Sequence, residues 1–295
     1  LFFADKLVDA AAKLAKAVGV SGTLIGLTVL AYGTSLPELA VSSFASVQYY
    51  DQLSVSNIVG SNIYNIAVIM GVCAIITLME NKNRLLWLRD GSFMTGSAIF
   101  LIIVLFFGEI GRIIGFLMVL ALVGYTYYIV KHEKETGPME EDKTISKGKI
   151  ILTVLVCLAG VLISGNYTVN SAANVARLAG VTEWLIGATI VAAGTSLPET
   201  VVSIIAAKKR EMGISIGNIV GSNYFNILWI LGFASILKPL SASFQPIATD
   251  LLFLFIITIW FQFDLMKGKI SKIEGVGYVL LYIIYLSYLT KILPV

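Results

Sequence analysis

The chain has 295 residues, of which 57% are hydrophobic and only 13% are charged, and its formal net charge is +3. Soluble domains carry about 25% charged residues, so this composition excludes an ordinary soluble protein. The weak net charge makes nucleic acid an unexpected partner. Cys73 and Cys157 lie in apolar runs without metal-binding or disulfide spacing and are predicted to be small buried residues.

Ten apolar segments approach the length of about 20 residues that a membrane-spanning helix needs. The only polar interruption lies at 132–148 and leaves five segments on each side. The sequence therefore predicts an all-α polytopic membrane protein with a first half at 1–131, a linker at 132–148 and a second half at 149–295. The predicted spans are 1–16, 22–47, 54–78, 88–107, 111–131, 149–173, 183–208, 215–237, 246–265 and 272–292.

The two halves are copies of one sequence. A shift of 161 positions aligns 1–75 with 162–236 without a gap. Because five spans per copy is an odd number, the second copy enters the membrane from the opposite side, which predicts inverted five-helix repeats. Leu1 corresponds to Leu162, 13 residues after the predicted start of its span at 149, so we expect the first span to be truncated and an apolar stretch of that length to precede Leu1.

The distribution of basic residues predicts the orientation, since cytoplasmic loops are enriched in Lys and Arg. With the linker 132–148 in the cytoplasm, 17 of the 21 basic residues lie inside and four lie outside, namely Arg112, Arg177, Lys238 and Lys291. The protein is then expected in the cell membrane with its N-terminus outside. Asp90 and Asp250, which correspond at a shift of 160, are predicted to be helix-start residues.

The string Gly-Thr-Ser-Leu-Pro-Glu occurs at 33–38 and again at 194–199 and places one carboxylate inside each apolar span. A charge there costs about 2.5–3.5 kcal/mol. The Gly and Pro of each string are predicted to break the helix, and broken helices at matched positions indicate a transport site at the midplane. The candidate ligands are Thr34, Glu38, Ser61 and Asn65, and in the second copy Thr195, Ser196, Glu199, Ser222 and Asn226.

These side chains offer only carboxylate, hydroxyl and amide oxygens, which suit Ca²⁺ or Na⁺ rather than Zn²⁺ or copper. Two glutamates balance one Ca²⁺, two Na⁺ or two protons, and an exchanger needs that property. Three hypotheses stay open: exchange of Ca²⁺ for Na⁺, exchange of Ca²⁺ for protons, and a cation channel or intramembrane enzyme. An internal duplication favours a carrier over a channel, and a hydrolase would need a nucleophile–base pair, whereas the only histidine is His132.

Four further motif residues have two interpretations each. Gly60 and Gly221 are predicted either to allow close helix packing or to serve the site directly. Asn62 and Asn223 are either ligands or residues that bond backbone at a helix bend.

The paired motifs at 33–65 and 194–226, GTSLPE followed by GSNxxN, resemble the two alpha-repeats of the calcium/cation antiporter superfamily, and in particular its sodium/calcium exchanger branch. The resemblance implies ten helices, alternating access, no enzymatic activity and no cofactor. It also implies a bilayer-embedded protein that works as a monomer and transports Ca²⁺ and Na⁺. The short linker is typical of a minimal prokaryotic-type exchanger. Ligand roles are implied for Thr34, Ser35, Glu38, Ser61, Asn65, Thr195, Ser196, Glu199, Ser222 and Asn226.

The string Gly-Thr-Ser favours sodium coupling, because the proton-coupled branch typically carries Gly-Asn there. Exchange of Ca²⁺ for protons stays as the alternative. The chain departs from many sodium/calcium exchangers at Asn226, where they carry Asp, and this leaves stoichiometry and ion preference open.

Overall fold

The computed structural model describes residues 1–80, 84–136, 146–180, 192–241 and 244–292. The elements of the first half are α1 Phe2–Val18, α2 Gly22–Ile25, the π-helix π1 Gly26–Leu30, α3 Ala31–Thr34, α4 Leu36–Val47, α5 Asp51–Tyr64, π2 Asn65–Met70, α6 Gly71–Ile76, β1 Met79–Glu80, α7 Arg84–Phe106, β2 Glu109–Ile110 and α8 Arg112–Thr136. Those of the second half are α9 Lys147–Leu178, α10 Ala192–Thr195, α11 Leu197–Lys208, α12 Met212–Phe225, π3 Asn226–Leu231, α13 Gly232–Leu237, β3 Leu240–Ser241, α14 Phe244–Lys267, β4 Lys269–Ile270 and α15 Lys272–Ile292.

Seven described helices are long and apolar enough to cross a membrane, or eight if the bent pair Gly22–Thr34 and Leu36–Val47 forms one span. The prediction of a helical, multi-pass membrane protein is therefore confirmed. The described ends of the predicted spans lie within five residues of their predicted positions. The start of the predicted span 183–208 lies outside the described residues, and so do residues 137–145 of the linker. Helix α8 extends into the linker from one end and α9 from the other.

The same irregularities recur in both halves. At each predicted break, a single non-helical residue interrupts the helix. It is Ser35 in the first half, with φ −83° and ψ 12°, and Ser196 in the second, with φ −86° and ψ 12°. Each prolyl residue follows in the first turn of the next helix, where its missing N–H is tolerated. A π-helical turn then begins at Asn65 and again at Asn226, and such turns are frequent at functional sites.

Helix α12 is the most buried part of the core, and every residue from Ile214 to Phe225 is buried. It packs against α2, π1 and α3 of the first half. Glycine makes this approach possible, because a Cβ on Gly217 would lie 2.5 Å from the Thr23 carbonyl oxygen. Small residues allow this kind of close helix contact where both surfaces are apolar.

The loops of the two halves pair with each other. Strand β1 pairs antiparallel with β4, with Glu80 opposite Lys269, and β2 pairs antiparallel with β3, with Glu109 opposite Ser241. Near the second pair the Lys238 ammonium lies 2.6 Å from the Asp51 carboxylate. Each strand pair therefore connects a loop of the first half to a loop of the second half.

Helix α1 lies along α9 and also contacts α11. The Lys209 ammonium, just after α11, lies 2.8 Å from the Asp5 carboxylate and 2.6 Å from that of Asp9. It also donates to the Asp5 carbonyl oxygen at 2.9 Å. These contacts attach α1 to the turn between α11 and α12.

The prediction that Asp90 and Asp250 are helix-start residues is wrong. Each is the seventh residue of its helix, in α7 and α14, beyond the first turn in which the helix dipole favours a carboxylate. Asp90 is buried, lies 2.9 Å from the Arg89 guanidinium and accepts a hydrogen bond from the Tyr125 hydroxyl. Asp250 accepts a hydrogen bond of 3.0 Å from the Tyr285 hydroxyl. The prediction of two free, buried cysteines is confirmed.

Among the described residues, the packing interpretation holds for Gly221. A Cβ on Gly221 would lie 2.6 Å from the Leu27 carbonyl oxygen and 2.7 Å from the Ala31 Cβ, whereas a Cβ on Gly60 would meet no atom of the described residues within 4 Å. Within the described part of the chain, the identical string therefore has different neighbours in the two halves.

Gly221→Ala is expected to destabilise the protein and Gly60→Ala is not. The first must push α12 away from π1, and overpacking of this kind costs about 1–3 kcal/mol. The second adds a methyl group that meets no described residue within 4 Å and improves helix propensity by about 1 kcal/mol. Thermal unfolding of both variants in the same detergent checks this, and equal melting temperatures would contradict it.

Candidate functional site

Both helix breaks pack against α9. A Cβ on Gly33 would come within 2.4 Å of the Leu158 side chain, and one on Gly194 within 2.6 Å of the Val169 side chain. The glycine of each string therefore leaves room for α9 to pass close to the break. The carboxylates that follow, Glu38 and Glu199, are each only 1% exposed.

Each break binds the glutamate of the other half. The Ser196 hydroxyl donates to Oε1 of Glu38 at 2.8 Å, and the Ser35 hydroxyl donates to Oε1 of Glu199 at 2.8 Å. Thr195 is a neighbour of the Glu38 carboxyl, and Thr34 is a neighbour of the Glu199 carboxyl. The structure thus brings both strings together into one reciprocal cluster.

In the second motif, Asn65 and Asn226 begin the π-helices π2 and π3, and Asn62 and Asn223 lie three residues earlier. Nδ2 of Asn226 donates to Oδ1 of Asn62 at 3.0 Å, and Nδ2 of Asn62 donates to the Asn223 carbonyl oxygen at 3.0 Å. Nδ2 of Asn223 donates to the Ile219 carbonyl oxygen at 2.7 Å. Both Asn62 and Asn223 thus bond backbone near a helix irregularity, as one of the two interpretations expects.

The remaining predicted ligands occupy the same surroundings. Ser222 donates to the Ala31 carbonyl oxygen, next to the first break, at 3.5 Å. Ser61 is 4% exposed and lies one helical turn before Asn65. Thr195 is half-buried, and the other nine predicted ligands are all buried.

Several buried oxygens at this cluster lack a hydrogen-bond partner among the described residues. They are Oε2 of Glu38, Oε2 of Glu199, Oδ1 of Asn65 and Oδ1 of Asn226. An unsatisfied buried polar group costs about 1–3 kcal/mol, and more if it is charged. Carboxylate and amide oxygens are typical ligands of hard cations, so each of these four atoms has the chemistry of a cation ligand.

The cluster is also poor in the strong ligands that hold metals permanently. No group of three or more His, Cys, Asp or Glu side chains with metal-binding geometry occurs in the described part of the chain. Two carboxylates surrounded by neutral oxygens bind a cation less tightly than a site with more ligand charge.

Sequence reasoning missed a layer of residues behind the ligands. Thr34 donates to Oδ1 of Asn218 at 3.4 Å, and Nδ2 of Asn218 donates to the Ser203 hydroxyl at 2.9 Å. In the first half the equivalent Asn57 donates to the Ser42 hydroxyl, also at 2.9 Å. Asn57 and Asn218 begin the two copies of Asn-Ile-Val-Gly-Ser-Asn, so the repeat itself was the signal.

An open cleft of about 360 Å³ reaches the cluster from one side. It lies between α4, α9 and the α10–α11 break, and Asn166 and Asn170 line its wall. At its end are Gly194 and Thr195. The cleft also borders Pro37 of the first string, whereas Thr34, the counterpart of Thr195, is fully buried.

Comparison with known proteins agrees with this architecture. A family model described as sodium/calcium exchanger protein matches residues 1–131 and 149–291. The sodium/calcium exchanger MaX1 of Methanosarcina acetivorans is 32% identical over 96% of this chain and 93% of its own length. A putative antiporter, CaxA of Alkalimonas amylolytica, is 30% identical over 98% of this chain and 93% of its own.

Solved structures give the same result. The sodium-calcium exchanger NCX_Mj, soaked with Na⁺ and Sr²⁺, superposes with a TM-score of 0.87 at 29% identity and covers 97% of this chain and 93% of its own. The matched residues include both halves and both copies of the paired motifs. The chain therefore belongs to the sodium/calcium exchanger family of the calcium/cation antiporter superfamily.

Proposed function

We propose that this protein is a secondary active antiporter that exchanges Ca²⁺ for Na⁺ at the cluster around Glu38 and Glu199. The observation that carries the proposal is the pair of buried carboxylates, each bound by a serine of the other half and each with one free oxygen. The names of its relatives and of its structural neighbours support Ca²⁺ and Na⁺ as the exchanged ions.

The proposed ligands supply more oxygens than any one ion needs. Ca²⁺ takes six to eight oxygen ligands, and the two glutamates would neutralise it. When Ca²⁺ leaves, Na⁺ ions would share the same carboxylates and use the hydroxyls and amides of the site. The proposed set is Thr34, Ser35, Glu38, Ser61, Asn65, Thr195, Ser196, Glu199, Ser222 and Asn226.

The proposal includes ten helices in two inverted repeats, with the linker 132–148 in the cytoplasm. The loop contacts support the inverted topology, because residues assigned to the same side of the membrane contact each other. Both strands of the β1–β4 pair belong to predicted cytoplasmic loops, and both strands of the β2–β3 pair belong to predicted outer loops. The pair formed by Lys238 and Asp51 joins two outer loops in the same way.

Alternating access is the proposed transport mechanism. The cleft reaches Thr195 along the half of α9 that this orientation places outside, while the equivalent Thr34 is closed off. On the opposite side Lys209 holds α1 against the turn after α11. A site open to one side and closed to the other is the arrangement that a carrier needs, and a movement of α1 and α9 over the breaks would reverse it.

The test is transport by the purified full chain in proteoliposomes. Uptake of ⁴⁵Ca²⁺ is measured with a Na⁺ gradient alone and with a pH gradient alone. Uptake driven by Na⁺ supports the proposal, and uptake that follows the pH gradient and ignores Na⁺ would assign the alternative, Ca²⁺/H⁺ exchange. Ca²⁺ flux that needs no counter-ion would contradict both and indicate a channel.

Glu38→Gln and Glu199→Gln are each expected to abolish Ca²⁺ transport. Each change removes one of two charges that balance Ca²⁺ at low dielectric, where charge contributes most. Glu80→Gln, an exposed position, is the matched control and should retain near-normal uptake. Near-normal uptake in either buried variant would exclude that glutamate from the ion site.

Ser61→Ala combined with Ser222→Ala is expected to weaken Na⁺-driven exchange more than Ca²⁺ binding. Na⁺ ions would share the two carboxylates and would therefore depend more on neutral hydroxyls, whereas Ca²⁺ retains both glutamates. Ser54→Ala with Ser215→Ala, seven residues earlier in the same helices, is the matched control. The half-saturating concentrations of Na⁺ and Ca²⁺ decide, and equal shifts of both would argue against the hydroxyls as selective Na⁺ ligands.

A further inference from the structure

We infer that Asn62 is a positioning residue for the ion site: it fixes the amide of Asn226 with Nδ2 turned away and leaves Oδ1 to bind the transported cation. The inference rests on the proposed function, in which Asn226 is a ligand. It gives a distinct task to a residue that has no contact with the ion.

A backbone carbonyl determines which way the two amides point. An amide's nitrogen can only donate and its oxygen can only accept, so hydrogen-bond partners identify its two ends. Asn62 lies 3.0 Å from the Asn223 carbonyl oxygen, which can only accept. Nδ2 of Asn62 must therefore face that carbonyl, and Oδ1 must point the other way.

The orientation passes from Asn62 to Asn226. The atom of Asn226 that lies 3.0 Å from Oδ1 of Asn62 has to be a donor, and this makes it Nδ2. Oδ1 of Asn226 is then the other end of the amide, and it is buried without a hydrogen-bond partner among the described residues. A buried oxygen in that position is available to a cation, whereas an amide nitrogen would repel one.

The two halves differ here although both carry Asn at these two positions. Asn223, the counterpart of Asn62, donates to the Ile219 carbonyl of its own helix at 2.7 Å and leaves its Oδ1 unsatisfied. Asn65, the counterpart of Asn226, has neither amide atom hydrogen-bonded among the described residues. Only one of the two deep amides is held by its neighbour.

This arrangement also favours an amide over a carboxylate at position 226. An aspartate there would face Oδ1 of Asn62 with a second acceptor, and a carboxylate has no hydrogen to donate when it is ionised. Asn62 and Asn226 therefore fit each other as a pair.

The test compares Asn62→Leu with the matched control Asn223→Leu in the reconstituted full chain. Positioning residues behind metal ligands typically change affinity about 10- to 100-fold, so Asn62→Leu should raise the half-saturating concentration of Ca²⁺ or Na⁺ by that range. Asn223→Leu, which removes an amide bonded to its own helix, should change it clearly less. Equal shifts in the two variants, or no shift in Asn62→Leu, would overturn the inference.

A second measurement separates positioning from a general loss of structure. The Ca²⁺-dependent rise in melting temperature reports binding without turnover and is measured for Asn62→Leu, Asn226→Ala and the double variant. The double variant should match Asn226→Ala, because Asn62 acts only through that amide. A further full loss on adding Asn62→Leu to Asn226→Ala would overturn the inference.

The controls distinguish this inference from the proposed function. If the wild-type chain shows neither Ca²⁺-dependent stabilisation nor counter-ion-dependent flux, the proposed function fails and the inference fails with it. If the wild type shows both and Asn62→Leu behaves as Asn223→Leu does, only the inference fails. Should Asn62→Leu not fold, Asn62→Ala is compared with Asn223→Ala by the same two criteria.

Discussion

Two carboxylates buried side by side are the constraint on which the rest of the structure depends. Each costs free energy on burial, and each raises the cost of the other by repulsion. The chain supplies one serine donor to each, from the opposite half. These bonds engage Oε1 of each glutamate, and Oε2 of each lacks a hydrogen-bond partner among the described residues. In the proposed function, a cation would bind these two oxygens.

Close helix packing follows from the same constraint. The serines reach across only because the two breaks lie together, and the breaks lie together only because glycines let the backbones approach. Gly217 lies against the Thr23 carbonyl and Gly221 against that of Leu27, while Gly33 and Gly194 leave room for α9. A larger residue at Gly217 or Gly221 would meet backbone of the first half and would separate elements whose contact brings the two breaks together. The apolar surface around them, facing lipid, places no comparable demand on residue identity.

Much of this could be predicted from the sequence, because duplication marks what both halves must keep. The spans, both helix breaks and the family follow from apolar length and from the repeated strings. The roles of individual residues could not be predicted from these patterns. Asp90 precedes a long apolar run and so suggested a helix start, but α7 begins earlier and its partner Tyr125 is 35 residues away. Gly60 and Gly221 share one string, and only the tertiary neighbours of Gly221 make it a packing residue. Asn62 and Asn223 differ for the same reason, since hydrogen-bond partners from other helices are not encoded in a local pattern.

Equivalent residues of the two halves lie in different environments, and there is a physical reason for this difference. Two copies of one sequence that formed a symmetric site would offer an ion equal access from both sides, and a carrier cannot work in that way. Here the cleft reaches Thr195 while Thr34 is fully buried, and one deep amide is oriented while its counterpart is not. Because both halves hold the same chemical groups, the proposed alternating access would exchange the two arrangements. A small difference between two nearly equivalent states is what a bound ion can reverse, since a ligand shifts an equilibrium only by its difference in affinity for the two states. In that proposal the duplication would supply both the ligands and the near-degeneracy that exchange requires.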